Sequence, residues 1–255
     1  MTFSWWVGPP GGPARSARHP DERFGAASTM KVAVLAALYR SGLDLDAPVA
    51  VADEHDSAVG GGVRYRNDRG YDDEDQVWTR LGDAVPARWL ARRMIVRSSN
   101  LATNLLIGRV GLPAVAEVWR LAGATNSVTA RGIEDYAARD AGLDNVVTAA
   151  DLAALFGALH NGLLAGPAAT AEMLDLLAAQ EWRVDLAAGL PPGVRVAHKN
   201  GWMDGIRHSA GIVYPPDAPP YVIAVCSGFS DPVTDEDACR RIAELSARAW
   251  EGRNA

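Results

Sequence analysis

Ser28 and Lys31 stand three residues apart in the stretch FGAASTMKVAVLAALYR, Phe24 to Arg40, at the start of an apolar helical run. A serine hydroxyl becomes a nucleophile when an adjacent base takes its proton, and a lysine is such a base once burial or a neighbouring cation lowers its pKa. Residues three apart share a helix face, so the Lys31 ammonium can reach the Ser28 hydroxyl. A second reading needs no chemistry: Ser28 caps the helix and Lys31 snorkels to water along its apolar stem. Against it, a capping box would put Glu or Gln where Lys31 stands, and a cation in the first turn opposes the helix dipole. Val32, Val34, Leu35 and Leu38 also flank the ammonium with apolar surface, which makes an idle charge costly there.

Two further clusters carry reactive residue types. RSSNLATNLL, Arg97 to Leu106, sets Ser98, Ser99 and Asn100 just ahead of an amphipathic run; any of the three could simply cap that helix. VAHKNGW holds a second isolated lysine, Lys199, in a strand-like segment followed by Asn200 and Gly201. Its plain reading is a solvent-facing strand lysine. Each cluster is weak alone, and their order along the chain gives them weight together.

The elements that must position these residues follow from periodicity. TFSWWVG reads as a strand, followed by a Pro/Gly turn and a second short strand before Phe24. Between Arg88 and Leu190 the apolar spacing is helical, and RVAHKNGW, HSAGIVY and YVIAVCSGF then read as three strands. The chain closes on a helix with acidic residues early and arginines late, as the dipole prefers. The expected fold class is α+β: a roughly five-stranded antiparallel sheet built from both termini in a lobe of residues 1–45 and 191–255, with an all-helical lobe, 46–190, inserted between them. The site is expected in the cleft between the lobes. Residues 53–76, polar and Gly-rich, read as a solvated loop bordering it.

Composition narrows the partners. The 255 residues carry a net charge of −6 with no basic block, which argues against nucleic acid or an anionic membrane surface. No apolar run approaches the length of a bilayer span. The N-terminus lacks the charge, apolar core and cleavage pattern of a signal peptide, so the expected location is cytoplasmic. Cys226 and Cys239 give neither a disulfide framework nor a metal spacing, the five histidines are scattered, and the Asp72 to Asp75 run lacks the alternating ligands of a calcium loop. No metal and no cofactor are expected.

Taken together, Ser-x-x-Lys at Ser28 and Lys31, Ser-Ser-Asn at Ser98 to Asn100, and Lys-Asn-Gly at Lys199 to Gly201 resemble the three motifs of the class A β-lactamase and penicillin-binding-protein family of active-site serine enzymes, Ser-x-x-Lys, Ser-Asp-Asn and Lys-Thr-Gly. The likeness spans almost the whole chain, without the N-terminal helix that usually precedes the first strand. It implies a serine hydrolase acylated at Ser28 by an amide, ester or β-lactam and freed by water. It implies Lys31 as base or proton relay, Ser98 as proton shuttle to the leaving group, and Asn100 as an orienting amide. Lys199, Asn200 and Gly201 would form the substrate-binding edge, with an oxyanion donor near Met203. Ser99 departs from the family's Asp, which braces the surrounding loops, and Asn200 from its Thr, which helps bind a substrate carboxylate. The deacylating glutamate falls in TARGIEDYAARDAGLDN, Thr129 to Asn145, where Glu134 and Asp135 are the candidates. Tyr65, Tyr71 and Trp202 either line the cleft or pack in the core. The expected partner is a small-molecule or peptide-like acyl substrate, and the expected assembly is a monomer or small homo-oligomer. Transfer of the acyl group to an amine, and ligand sensing without turnover, stand as alternatives.

Overall fold

Both ends of the chain meet in one sheet. The computed structural model describes residues 1–254. Strands β1 (Thr2–Gly8), β2 (Ser16–Arg18), β3 (Arg195–Met203), β4 (Ile206–Tyr214) and β5 (Tyr221–Gly228) pair in the order β2-β1-β5-β4-β3, with antiparallel neighbours. The order leaves β3, which carries Lys199 and Gly201, as an edge strand.

Helix α1 (Lys31–Arg40) carries no charge between its two end residues because Val32 through Leu38 are all buried. A helix apolar all round belongs in a core. Around it pack α2 (Ala87–Val96), α3 (Asn100–Val110) and α4 (Leu112–Leu121), together with the later α6 (Pro167–Ala178). Helix α5 (Ala149–His160), between α4 and α6 in the chain, crosses the face of the sheet against β1, β4 and β5. The opposite face is covered by α7 (Asp235–Glu251) and the short turn Leu186–Gly189, which enclose Val7, Val196, Val213 and Ile223 with Ile242 and Leu245. A Thr234/Asp237 capping box starts α7 and Arg248 sits in its last turn, so the acidic-to-basic pattern read along this segment matches the helix that forms.

Residues 53–76 hold more structure than a solvated loop. Glu54–Asp56 pairs with Arg64–Arg66, and the short turns Arg69–Tyr71 and Asp75–Trp78 follow. Strands of three residues show too little alternation to be read, and this pair is held partly by ion pairs of Arg64 to Glu54 and Arg66 to Asp53.

Candidate active site

The nucleophile turn is anchored from the sheet. Phe24–Gly25 pairs with Val146–Val147, and the Gly25 carbonyl accepts a 2.9 Å hydrogen bond from Nε2 of buried His208. The backbone N–H of Ser227 donates to His208 Nδ1 at 3.1 Å, which fixes the Nε2–H tautomer. Burial pushes the His208 pKa down to about 4, so the ring is neutral at pH 7. The chain then passes through Ala27, at φ 44°, into a 3₁₀ turn, Ala27–Met30, that runs straight into α1. Ser28 lies inside this turn, and the residues at the cap positions, Ala26 and Met30, make no side-chain cap bond. Ser28 is therefore not a helix cap. With about three residues per 3₁₀ turn, its side chain and that of Lys31 lie on one side.

Gly201 gives this turn its room. A Cβ at Gly201 would lie 2.6 Å from the Ser28 backbone nitrogen and 3.0 Å from both Ala27 Cβ and Thr29 N. The edge strand thus rests directly against the nucleophile, and only the smallest residue fits there.

Lys31, Ser98, Asn100 and Lys199 converge. The Lys31 ammonium donates to Asn100 Oδ1 at 2.8 Å, to Ser98 Oγ at 3.3 Å and to the Ser98 carbonyl. These bonds, rather than one to Ser28, hold it in the free protein. Lys199 Nζ donates to the same Ser98 hydroxyl at 3.0 Å and to the Asn200 carbonyl at 2.7 Å. Both lysines are wholly buried. Desolvation brings Lys31 down to about 7, against the pull of Asp72, Asp73 and Glu134. Burial, and then the charge of Lys31, holds Lys199 well below the ordinary lysine range. One hydroxyl therefore touches two amines that do not both carry protons easily, which is a proton-relay geometry.

Glu134 and Asp135 sit side by side, and each carboxylate accepts hydrogen bonds on both oxygens. Asp135 is fully buried; its Oδ1 accepts from Ser57 Oγ at 2.7 Å and from Ala138 N at 3.2 Å, and its Oδ2 from Ala58 N at 2.8 Å. It ties the 129–145 loop to the 53–76 segment and caps a short helix. Glu134 accepts from Asn67 Nδ2 at 2.8 Å and Asp68 N at 2.7 Å, and Asn104, from α3, holds both Asn67 and the Ile133 backbone. Burial raises the Glu134 pKa, and its charge is felt at Lys31. Ala27, Ser98 and Glu134 have φ of 44°, 65° and 68°. Left-handed backbone at such residues costs on the order of 1 kcal/mol each and concentrates where geometry matters for function.

Two of the expected substrate contacts are corrected. Asn200 follows Lys199 in a strand, so its side chain leaves the opposite face. Its Nδ2 donates to the Trp182 carbonyl at 3.0 Å and to Asp185 Oδ2 at 3.2 Å, where Arg207 also binds. Its side chain is thus no part of the cleft. Met203 pairs with Ile206 across a two-residue turn. Such a closing pair bonds to itself, and the next pair turns its N–H groups outward. Trp202, not Met203, is the residue whose N–H faces the free edge of β3. The Trp202 ring packs edge-on to Trp182 at 5.4 Å, over Arg207. Tyr71 is 69% exposed, and its carbonyl accepts a 2.7 Å hydrogen bond from Asn100 Nδ2.

This arrangement, a serine at a helix start beside two buried lysines and a shared hydroxyl, is that of an active-site serine hydrolase. The chain belongs to the β-lactamase enzyme family, which it matches over residues 2–252. A β-lactamase of Streptomyces fradiae is 29% identical over 245 residues, covering 88% of this chain and 74% of that one. A β-lactamase structure from Sphaerobacter thermophilus superposes with a TM-score of 0.80 at 26% identity, covering 98% of this chain and 91% of that one. The fold is shared too with PBP-A, one mutant of which is known as an acyl-enzyme complex with penicillin G; that structure has a TM-score of 0.77 at 22% identity and covers 98% and 90% of the two chains. The α+β fold with its five-stranded antiparallel sheet is the β-lactamase fold, and the protein is a β-lactamase-like serine hydrolase.

Proposed function

We propose that the protein cleaves an amide, ester or β-lactam through an acyl-enzyme on Ser28. The observation that carries this reading is the single Ser98 hydroxyl held by two buried amines beside the nucleophile turn. Neutral Lys31 takes the Ser28 proton as Oγ attacks the acyl carbon, and the backbone N–H groups of Ser28 and Trp202 receive the developing oxyanion. The proton passes from Lys31 through Ser98 to the departing nitrogen or oxygen, with Lys199 holding the Ser98 hydroxyl in place. Glu134 then takes a proton from water as it attacks the ester carbonyl, and the bond to Ser28 Oγ breaks as that proton is passed on to the departing Ser28 oxygen, which leaves Glu134 ionised again. The raised pKa of Glu134 and its position near Lys31 support this role, whereas the complete burial of Asp135 and its bonds to Ser57, Ala58 and Ala138 support a structural one.

Steady-state hydrolysis of penicillins and activated esters by the wild type and two variants tests the scheme. Lys31→Ala is expected to lose about 10² to 10⁴ in turnover, the usual weight of a proton-transfer group. Glu134→Gln is expected to acylate normally and to accumulate acyl-enzyme. Undiminished turnover of Lys31→Ala would overturn the assignment of the base.

A further inference from the structure

Ser99 stands where the family motif has a carboxylate, and the structure contains a carboxylate at the same place that comes from elsewhere. Asp72, at the end of the Arg69–Tyr71 turn, faces the start of α3. Its Oδ2 accepts from the Ser99 hydroxyl at 3.2 Å, the Leu101 N–H at 2.9 Å and Trp78 Nε1 at 3.1 Å; its Oδ1 accepts from the Asn100 N–H at 3.1 Å and the Glu74 N–H at 3.2 Å. Two of these donors are first-turn N–H groups of α3, which the helix itself leaves unpaired and which favour negative charge. The Ser99 hydroxyl accepts in turn from the Ala102 N–H at 3.1 Å, so it joins the carboxylate to the helix it caps.

The geometry points to Asp72 as the positioning residue of the Ser98–Asn100 turn: from the facing loop it does from outside what an aspartate at position 99 would do from within. This rests on the reading of Ser98 as the relay hydroxyl and Asn100 as the orienting amide. Ser98 is kept at φ 65°, a conformation that persists only when its surroundings over-determine it. The residues that follow Ser98 are gripped by the same loop, since Tyr71 holds the Asn100 amide and Asp72 holds the Ser99 hydroxyl and the Asn100 and Leu101 N–H groups. Asp72 also acts through charge. The charged groups facing Lys31 are Asp72, Asp73, Glu134 and Lys199, and Asp72 is the carboxylate that most favours its ammonium form.

The test compares wild type, Asp72→Asn, the singles Asp72→Ser and Ser99→Asp, and the exchange Asp72→Ser/Ser99→Asp, which closes a double-mutant cycle. Acylation by penicillin is followed by quenched-flow mass spectrometry against pH, and stability by urea unfolding. In Asp72→Asn an amide N–H faces the donors, and the acylation rate is expected to fall on the order of 10²-fold, as for a misplacement of about 1 Å. Its acidic limb is expected to move to lower pH, a shift that a purely structural role would not produce. The exchange is expected to recover most of both losses. The urea cycle reads the pairing of 72 with 99 without any acylation: coupled, non-additive effects are expected, so a failure of the acyl-enzyme reading leaves this arm intact. Wild-type rate and pH limb in Asp72→Asn, additive effects in the cycle, or a folded exchange variant as slow as the single variants would each overturn the proposal.

Discussion

Gly201→Ala is the smallest change that tests how the edge strand and the nucleophile turn fit together. Gly201 is not among the glycines with positive φ, so the substitution meets no backbone penalty and acts through space alone. Its new methyl would stand 2.6 Å from Ser28 N and 3.0 Å from Ala27 Cβ and Thr29 N. Unstrained carbon contacts lie near 3.5 Å, so strand and turn must separate by about 0.9 Å. Backbone on both sides leaves no flexible side chain to absorb the displacement. Overpacking of this kind costs about 1–3 kcal/mol of stability. A shift approaching 1 Å between nucleophile and oxyanion donors is expected to slow acylation roughly 10²-fold. Urea unfolding gives the first number and single-turnover acylation, read by intact mass, gives the second. Acylation within about threefold of wild type, a difference well under 1 kcal/mol in the barrier, would refute the close packing of β3 on Ser28 as the origin of the site's geometry.

Other consequences follow from charge and occupation. If neutral Lys31 is the base, acylation should lose about tenfold per pH unit below its pKa of about 7, and a rate flat down to pH 5 would contradict it. The same group sets a stability trend: unfolded Lys31 keeps its proton up to 10.5 and the folded one only to about 7. Between those values the unfolded chain binds more protons, so this group makes stability rise with pH over that window and contributes no slope below it. Lys31→Met should flatten that rise in pH-dependent urea titrations. Asp135→Asn should cost about 1–3 kcal/mol through its buried hydrogen bonds without trapping acyl-enzyme, whereas Glu134→Gln should trap it; the reverse pattern would exchange their roles.

Much of this site was legible because its chemistry is written locally. The Ser28/Lys31 spacing, the Ser98 turn and the isolated Lys199 each lie within a few residues, and the odd charge in an apolar run pointed to the first of them. The sheet was legible at both ends because its strands of seven to nine residues, most of them buried on both faces, are bounded by Pro/Gly turn residues. What escaped was long-range or depended on register. Asp72 reaches Ser99 and Leu101 across 27 and 29 positions, and the acidic run containing it reads as a solvated surface. Asn67 and Asn104 meet Glu134 and its loop only after three segments fold together. Asn200 turns to the face opposite Lys199, where Trp182 and Asp185, 18 and 15 positions away, take its amide. The outward-facing N–H falls at Trp202 and not at Met203 because the hairpin end sets which N–H groups face outward, and a turn boundary one residue off reverses that parity.

The central claim is a covalent one, and intact mass tests it most directly. Wild type and Ser28→Ala would each be exposed to a panel of penicillins, activated esters and a serine-reactive phosphonate, then quenched in acid and weighed. The account predicts a phosphonate adduct of one equivalent on the wild type and none on Ser28→Ala, with a transient acyl adduct from at least one substrate at early times. An unmodified wild type under every probe, or equal labelling of Ser28→Ala, would contradict it.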